Sequence, residues 1–215
     1  MANVKQQLES PSIPSLGFPP EAYERRHLNE NYSALNGYFR KVTTVLGSLF
    51  GPRGGKFMNN PYGAFQSTAD QTAAAANTAY AMTLNAVDYA NGVSVASNSR
   101  ITVADAGIWN LQWSGQFENT DSQDHDVRVW LKINGTVVTG STGFISIPSK
   151  HGSINGHSIT GWNYFVSLNA NSYVELWWET DNTAISIQAY PASGNYPSTA
   201  SVIATMSFVS NLPTI

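Results

Sequence analysis

The 215-residue sequence contains no cysteine, few charged residues and no long hydrophobic run. Without cysteine the chain has no disulfide, no thiolate metal ligand and no thiol nucleophile. No run approaches the ~18 apolar residues of a membrane-spanning helix, and the segment after Met1 lacks the apolar region of a signal peptide. Charged residues make up 12% of the chain, and abundant Asn, Ser, Thr, Gln and Gly favour a rigid extracellular or virion β protein over a cytosolic enzyme.

Charge is distributed unevenly along the chain. Residues 1–56 contain seven Lys or Arg against four Glu, a balance of +3. The rest of the chain contains four Lys or Arg against ten acidic residues, a balance of −6. A balance of +3 is too weak to indicate a nucleic-acid partner. The asymmetry indicates instead that the two ends contact different partners.

Composition divides the chain into four segments. Residues 1–20 contain four prolines and predict an extended arm. Residues 21–50 predict a helix, and Pro20 suits its first turn because a missing N–H there is harmless. Residues 51–64, rich in Gly and Pro, predict a linker. Residues 65–215 predict a β-rich head.

The predicted helix carries its apolar residues at alternating steps of four and three, which is a heptad register. This seam consists of Leu28, Tyr32, Leu35, Phe39, Val42, Leu46 and Leu49. Three heptads are short for a free-standing coiled coil, and the side chains of Tyr32 and Phe39 are bulky for one. Three interpretations stay open: a stem with two sister helices, docking on another protein, or packing on the chain's own β domain.

From about Ala64 the apolar period becomes two, which predicts β-strands. Asn134-Gly135 predicts a two-residue hairpin turn. Eight to ten short strands at this spacing predict a mainly β protein, an antiparallel jelly-roll sandwich preceded by the extended arm and a single helix. The predicted strand segments are 78–84, 93–95, 100–103, 107–117, 127–134, 136–147, 157–168, 172–180, 183–190 and 200–209.

Four stretches of the head, in order, resemble the trimeric complement/tumour-necrosis-factor-like jelly-roll family. They are NGVSVASNSRITVADAGIWNLQWSGQF, VRVWLKINGTVV, VSLNANSYVELWWE and SVIATMSFV. The resemblance covers roughly residues 65–210. It implies a jelly-roll head that forms homotrimers.

A second resemblance lies in the helix, where PPEAYERRHLNENYSALNGYFRKVTTVLG is similar to an N-terminal segment of tailed-bacteriophage virion proteins, especially marine and cyanobacterial ones. The matching residues are Pro19, Pro20, Tyr23, Leu28, Asn29, Tyr38, Phe39 and Arg40. This resemblance implies a virion structural protein, synthesised in the host bacterial cytoplasm. It would be a homotrimeric capsid decoration or short fibre, anchored to capsid, neck or tail proteins by its arm and helix, with the head facing outwards.

The alternative is an adhesin for host attachment, either a tail-fibre tip or a lectin-like module. In that interpretation Trp162, Tyr164 and the loop 151–157 would hold a host-surface glycan. Trp130 and Trp177 are predicted opposite the main apolar faces of their strands. Exposed tryptophans favour an interface, so Trp130, Trp162 and Trp177 are candidates for a trimer or ligand surface, with plain core packing as the remaining reading.

Motifs for catalysis and metal binding are incomplete. Gly-Lys at 55–56 lacks the flanking Gly and Ser/Thr of a phosphate loop. The stretch 118–126 gathers Asp121, Asp124, His125 and Asp126, but without the central glycine and late Glu of a calcium loop. A solvated loop is therefore favoured there over a cation site.

The remaining ionisable residues also lack catalytic spacing. His151 and His157 flank a glycine-containing loop, for which a metal site is a minor alternative. Glu175 and Glu179 lie about 13 Å apart along one strand, beyond the ~5–9.5 Å of a glycosidase pair. We therefore expect no enzyme activity, no catalytic residues, no metal and no cofactor.

Overall fold

The computed structural model describes residues 11–16, 18, 21–50 and 60–212. The chain forms two compact units, Met1–Asn59 and Asn60–Ile215. In the first unit, residues 11–16 have no regular secondary structure. The other residues of the predicted arm, apart from residue 18, and residues 51–59 of the predicted linker lie outside the described residues.

The helix α1 spans Arg25–Phe50. It begins later than the sequence predicts, and in its first turn the backbone N–H of Leu28 donates to the carbonyl of Glu24 at 3.3 Å. Arg26 and Glu30, four residues apart on its surface, form an ion pair at 2.8 Å. The predicted place of Pro20 in the first turn falls on a residue outside the described ones.

The second unit consists of strands in two antiparallel sheets. The first strand begins at Tyr62, three residues before the predicted start of the head. The strands are β1 Tyr62–Ser67, β2 Gln71–Thr72, β3 Tyr80–Ala81, β4 Ala86–Asn91, β5 Val93–Ala96, β6 Arg100–Val103, β7 Gly107–Asn119, β8 His125–Ile133, β9 Thr136–Val137, β10 Gly143–Ile147, β11 Gly156–Leu168, β12 Tyr173–Thr180, β13 Ile185–Ile187 and β14 Val202–Ser210.

In the first sheet, called sheet A, β7 lies between β11 on one side and β13 with β14 on the other. Strands β1 and β4 continue the sheet beyond β14, and β2 pairs with β13. The second sheet, called sheet B, has the order β10-β8-β12-β6-β5, with β9 beside β8 and β3 beside β12. The long strand β7 therefore lies at the centre of sheet A.

Eight of the strands are nested so that the first pairs with the last. Strand β1 pairs with β14, β6 with β12, β7 with β11, and β8 with β10. In chain order these are pairs one with eight, two with seven, three with six and four with five. This nesting is a jelly roll, which confirms the predicted fold class.

The core lies between the inner faces of the two sheets. Trp109, Leu111, Trp113 and Phe117 of β7 are buried, as the period-two pattern predicts. Phe117 meets Trp178 of β12 across the sandwich, with ring centroids 6.2 Å apart. Burial of each large apolar side chain stabilises the fold by roughly 1.5–3 kcal/mol.

The predicted Asn-Gly turn is present with the expected backbone. Asn134 has φ 48° and Gly135 has φ 82°, and they connect β8 to β9. Positive φ at both central residues is the type I′ geometry that Asn-Gly favours. Asn171, with φ 62°, lies in the turn between β11 and β12. The turn chemistry therefore agrees with the strand register.

Candidate functional site

The outer face of sheet A carries no charged side chain across most of its three central strands. Alternate residues of β7, β11 and β14 point outwards, and the register places them in common rows such as Phe165, Asn110 and Ser207. We call this the uncharged face, and it consists of Ile108, Asn110, Gln112, Ser114, Gln116, Ile159, Gly161, Asn163, Phe165, Ser167, Ile203, Thr205 and Ser207.

Three large apolar side chains on the uncharged face are exposed to solvent. The exposed fractions are 72% for Ile159, 65% for Phe165 and 46% for Ile203. Nine residues along β7 and three strands give the face dimensions of about 27 by 10 Å. Apolar patches rimmed by polar residues mark interaction sites. This face is therefore suited to packing against another protein surface.

The outer face of sheet B carries charged residues in partnered positions. Arg128 Nη1 donates to Glu179 Oε1 at 2.7 Å across β8 and β12. Lys132 Nζ lies 3.3 Å from the ring centroid of Trp177, within the range of a cation–π contact. Charged groups paired in this way are compatible with water, so the face is suited to solvent.

The structure brings together two of the three candidate tryptophans. Trp130 and Trp177 are register partners on β8 and β12, and both are half-buried. Trp162 lies on sheet A instead, where it stacks on Trp113 with centroids 5.7 Å apart and packs against the core. Tyr164 points the same way and its hydroxyl donates to the Ser141 carbonyl at 2.8 Å. Trp162 and Tyr164 therefore do not form an open glycan platform.

The acidic loop between β7 and β8 forms a hydrogen-bond network. His125 Nε2 lies 3.0 Å from Asp121 Oδ2, and His125 Nδ1 lies 3.3 Å from Asp181 Oδ1. The hydrogen bond from His125 lowers the pKa of Asp121, and that from the Ser149 N–H lowers the pKa of Asp124. Within the part of the chain that the structure describes, no three His, Asp or Glu side chains are grouped for a metal ion. The network ties this loop to the turn after β12.

The other candidate ionisable residues have separate partners. Glu175 accepts from Ser99 Oγ at 2.7 Å, whereas Glu179 is paired with Arg128. His151 closes its loop through backbone hydrogen bonds with Ile154. The Gly-Lys pair at 55–56 lies outside the described residues. The two glutamates therefore do not act on a common point.

A groove of about 500 Å³ lies at one end of the uncharged face. One wall is the hairpin 190–199, which is held by reciprocal backbone hydrogen bonds between Tyr190 and Thr199. The start of β11, from His157 to Ile159, supplies another part of the lining. We call it the tyrosine groove, and it is lined by Gln116, Phe117, His157, Ser158, Ile159, Tyr190, Tyr196 and Thr199.

Three polar side chains meet beside the tyrosine groove. Tyr190 Oη donates to Glu118 Oε2 at 2.7 Å and lies 3.2 Å from His157 Nδ1. Burial, and next the hydrogen bond to Glu118, raise the pKa of Tyr190. The phenol is therefore protonated at neutral pH, and its O–H donates its hydrogen bond to Glu118. Since Tyr190 Oη then acts as acceptor toward the imidazole, His157 Nδ1 carries a proton and Nε2 is an acceptor in the neutral ring.

Sequence reasoning did not single out the tyrosine groove. Tyr190 and Glu118 are 72 residues apart and meet only because β13 pairs with the end of β7. The available signal was the repeated Tyr-Pro in AYPASGNYPST, since Pro-rich stretches with aromatic residues form exposed loops.

The seam of α1 is largely open to solvent. Leu28, Tyr32, Phe39 and Leu46 are exposed, with Tyr32 at 71%. The remaining seam residues, Leu35, Val42 and Leu49, are half-buried. Exposed apolar side chains in a heptad register are typical of a helix that packs against another helix.

Comparisons with known proteins add no family to this description. No family model matches the chain, and no curated protein matches it. Among the described residues, no helix has the length and apolar character to cross a membrane. By its fold the chain is an antiparallel jelly-roll protein with a helix preceding the head.

Proposed function

We propose that this chain is a homotrimeric structural protein of a bacteriophage virion, either a capsid decoration or a short fibre. The head associates with its copies through the uncharged face, and the arm and helix anchor it. The observation that carries the proposal is the combination of three exposed apolar side chains with no charge on that face. Interface cores between subunits are depleted in charged residues and rich in aromatic and aliphatic ones.

Sheet B supports this assignment by contrast within the same domain. The outer face of sheet B carries charged side chains that have partners: Arg128 is paired with Glu179, and Lys132 lies over the ring of Trp177. Although the chain has few charged residues overall, sheet B places several of them on its outer face, whereas the uncharged face formed by β7, β11 and β14 has none.

The helix supplies the second contact surface. The uncharged face covers only a few hundred Å², whereas stable interfaces bury about 800 Å² per partner. The seam of α1 presents four exposed apolar residues that would add to this area in a three-helix stem. Because the head and the helix belong to one chain, association at either raises the effective concentration at the other.

The number three and the virion location rest on the two resemblances. The head resembles trimeric jelly rolls over roughly residues 65–210, and the helix resembles the anchor segment of tailed-phage virion proteins. The charge balance of +3 over residues 1–56 supports an anchor, because threefold repetition multiplies weak contacts with an acidic partner surface. The head, with a balance of −6, then faces outwards.

The mass of the full-length protein tests the assembly. Light scattering at micromolar concentration is expected to give about 70 kDa, three times the 23.3 kDa chain. A strictly monomeric 23.3 kDa species would overturn both the head interface and the stem. A stable dimer would contradict the threefold arrangement.

The position of the chain in a purified virion tests the second half of the proposal. We expect density for the trimer on the capsid, neck or tail, with the helix at the attachment end and the head outermost. Removal of the seam by Tyr32→Ser and Phe39→Ser is expected to abolish retention on purified particles. Particles that lack the chain altogether would overturn the virion assignment. They would not bear on the homotrimer, which the light-scattering mass tests on its own.

A further inference from the structure

The tyrosine groove has the lining of a ligand site rather than of a simple surface depression. Its volume of about 500 Å³ falls in the range of about 300–1,000 Å³ typical of small-molecule sites. It combines aromatic and aliphatic surface with a few convergent polar groups, which is the usual composition of such sites. Its polar groups belong to three different elements, β7, β11 and the hairpin 190–199.

We propose that the tyrosine groove binds a neutral saccharide. The inference rests on the chemistry of the groove, and its binding test is read separately from the mass of the assembly because the two proposed surfaces share residues. Gln116 and Ile159 belong to both surfaces. The groove therefore lies at one end of the face, six residues or about 20 Å along β11 from Phe165.

The polar groups at the groove select a ligand rich in hydroxyl donors. Glu118 Oε2 accepts from Tyr190, while Glu118 Oε1 accepts no hydrogen bond from any described residue. With His157 Nδ1 directed to Tyr190, the remaining nitrogen Nε2 is an acceptor in the neutral ring. His157 lines the groove, and an acceptor there without a protein donor is matched by hydroxyl groups, of which a sugar presents several on one edge.

The apolar surface of the groove selects a ligand with a flat hydrocarbon face. Tyr196 lines the groove, lies outside the uncharged face and is 58% exposed. Its ring matches the C–H face of a pyranose, because contact would remove apolar area of both partners from water. Ordering a tyrosine side chain against a ligand also costs little conformational entropy, since that side chain has only two rotatable bonds.

Charge at the groove disfavours an anionic ligand. None of the lining residues is Lys or Arg, so a phosphate, sulfate or carboxylate would find no cationic partner. Glu118 would repel such a group, and its side chain is only 13% exposed, which reduces screening by solvent. A sialylated or sulfated glycan is therefore not the expected ligand.

The full-length protein, applied to an array of neutral and anionic glycans, tests this assignment. We expect retention of one or more neutral glycans, and titration calorimetry with that glycan would give the affinity. Tyr196→Ala should weaken binding at least tenfold through loss of the ring face. His157→Ala should also weaken it, because the imidazole acceptor that lines the groove is lost. Tyr89→Ala is the matched control, since Tyr89 is 70% exposed on β4 and does not line the groove.

The outcomes are separable from those of the assembly tests. Each variant is checked by light scattering and thermal unfolding, and unchanged mass and melting temperature show that a loss of binding comes from the groove. Binding by Tyr196→Ala equal to that of the original protein would overturn the proposal. An array without any neutral ligand, or with anionic glycans alone, would overturn it as well, whatever the mass of the protein.

Discussion

The outer faces of the two sheets are built from similar antiparallel strands but handle charge in opposite ways. On sheet B, Arg100, Arg128 and Lys132 each lie against a carboxylate or an aromatic ring. On sheet A, thirteen outward positions of the central strands contain no charge. The inner faces do not differ in this manner, since both consist mainly of buried apolar side chains. The placement of charge therefore separates a face suited to water from a face suited to association.

The largest expected effect is a loss of folding stability when a side chain of the shared core is truncated in either sheet. Met206 of sheet A and Leu176 of sheet B are both buried in the core. Met206→Ala and Leu176→Ala should each lower the free energy of unfolding by about 2–5 kcal/mol, through lost transfer energy and an unfilled cavity. Urea unfolding of both variants at equal protein concentration measures this. A loss below about 1 kcal/mol in one variant alone would show that the two inner faces are not equivalent.

The next effect is on association, when a charge is introduced on the outer face of one sheet or the other. Phe165 on the uncharged face and Phe144 on sheet B are exposed to 65% and 68%. Phe165→Asp should weaken association at least a hundredfold, because a carboxylate would be buried without a partner at each interface. Phe144→Asp should leave the assembly intact, since the Arg128 guanidinium lies 5.4 Å from the ring centroid of Phe144 and the new carboxylate would remain in solvent.

Sedimentation velocity of these two variants over a concentration series decides the comparison. Dissociation of Phe165→Asp alone supports an interface on sheet A. Dissociation of Phe144→Asp alone would place the interface on sheet B. Equal behaviour of both variants would remove the distinction drawn between the two faces.

The smallest expected effect is a pH-dependent change in folding stability that leaves association unchanged. The pKa of Asp121 lies below its usual value of 3.8, chiefly because of the hydrogen bond from His125. The native state therefore binds this proton less readily than the unfolded chain. The stabilisation is present above pH 3.8 and is lost as the pH falls through the lower native pKa.

Asp121→Asn isolates this contribution. We expect the variant to be slightly less stable than the original protein at neutral pH, with the difference disappearing at strongly acidic pH. From neutral pH down to 3.8, the mass of the assembly should not change, because the uncharged face has no carboxylate to gain a proton. A difference in stability that persists below the native pKa would contradict the assigned role of Asp121.

Local sequence patterns predicted much of the fold. Alternation in β7 identified the buried face of Trp109, Leu111, Trp113 and Phe117, and Asn134-Gly135 identified the turn after β8. Strand β4 was missed because its sequence, AVDYAN, has little apolar alternation and lies largely exposed at an edge of sheet A. Periodicity is informative where one side of a strand is buried, and an exposed edge strand lacks that contrast.

The candidate surfaces were harder to predict because they depend on neighbours distant in the chain. In β11, apolar residues lie on both sides, with Trp162 and Tyr164 inward and Ile159 and Phe165 outward. Alternation alone does not tell which set faces the core. The uncharged face exists only because β7 pairs with both β11 and β14, and this pairing is set by the whole topology.

The nesting of the first strand against the last also determines when the head is able to close during synthesis. Strand β1 is made early, but its partner β14 emerges only after about 140 further residues. At the usual 5–20 residues per second, this delay is roughly 7–30 seconds. Throughout that interval α1, made first, displays its seam while the head is incomplete. In the proposed assembly, neighbouring chains on one messenger RNA would therefore be able to meet through their helices before their heads are complete.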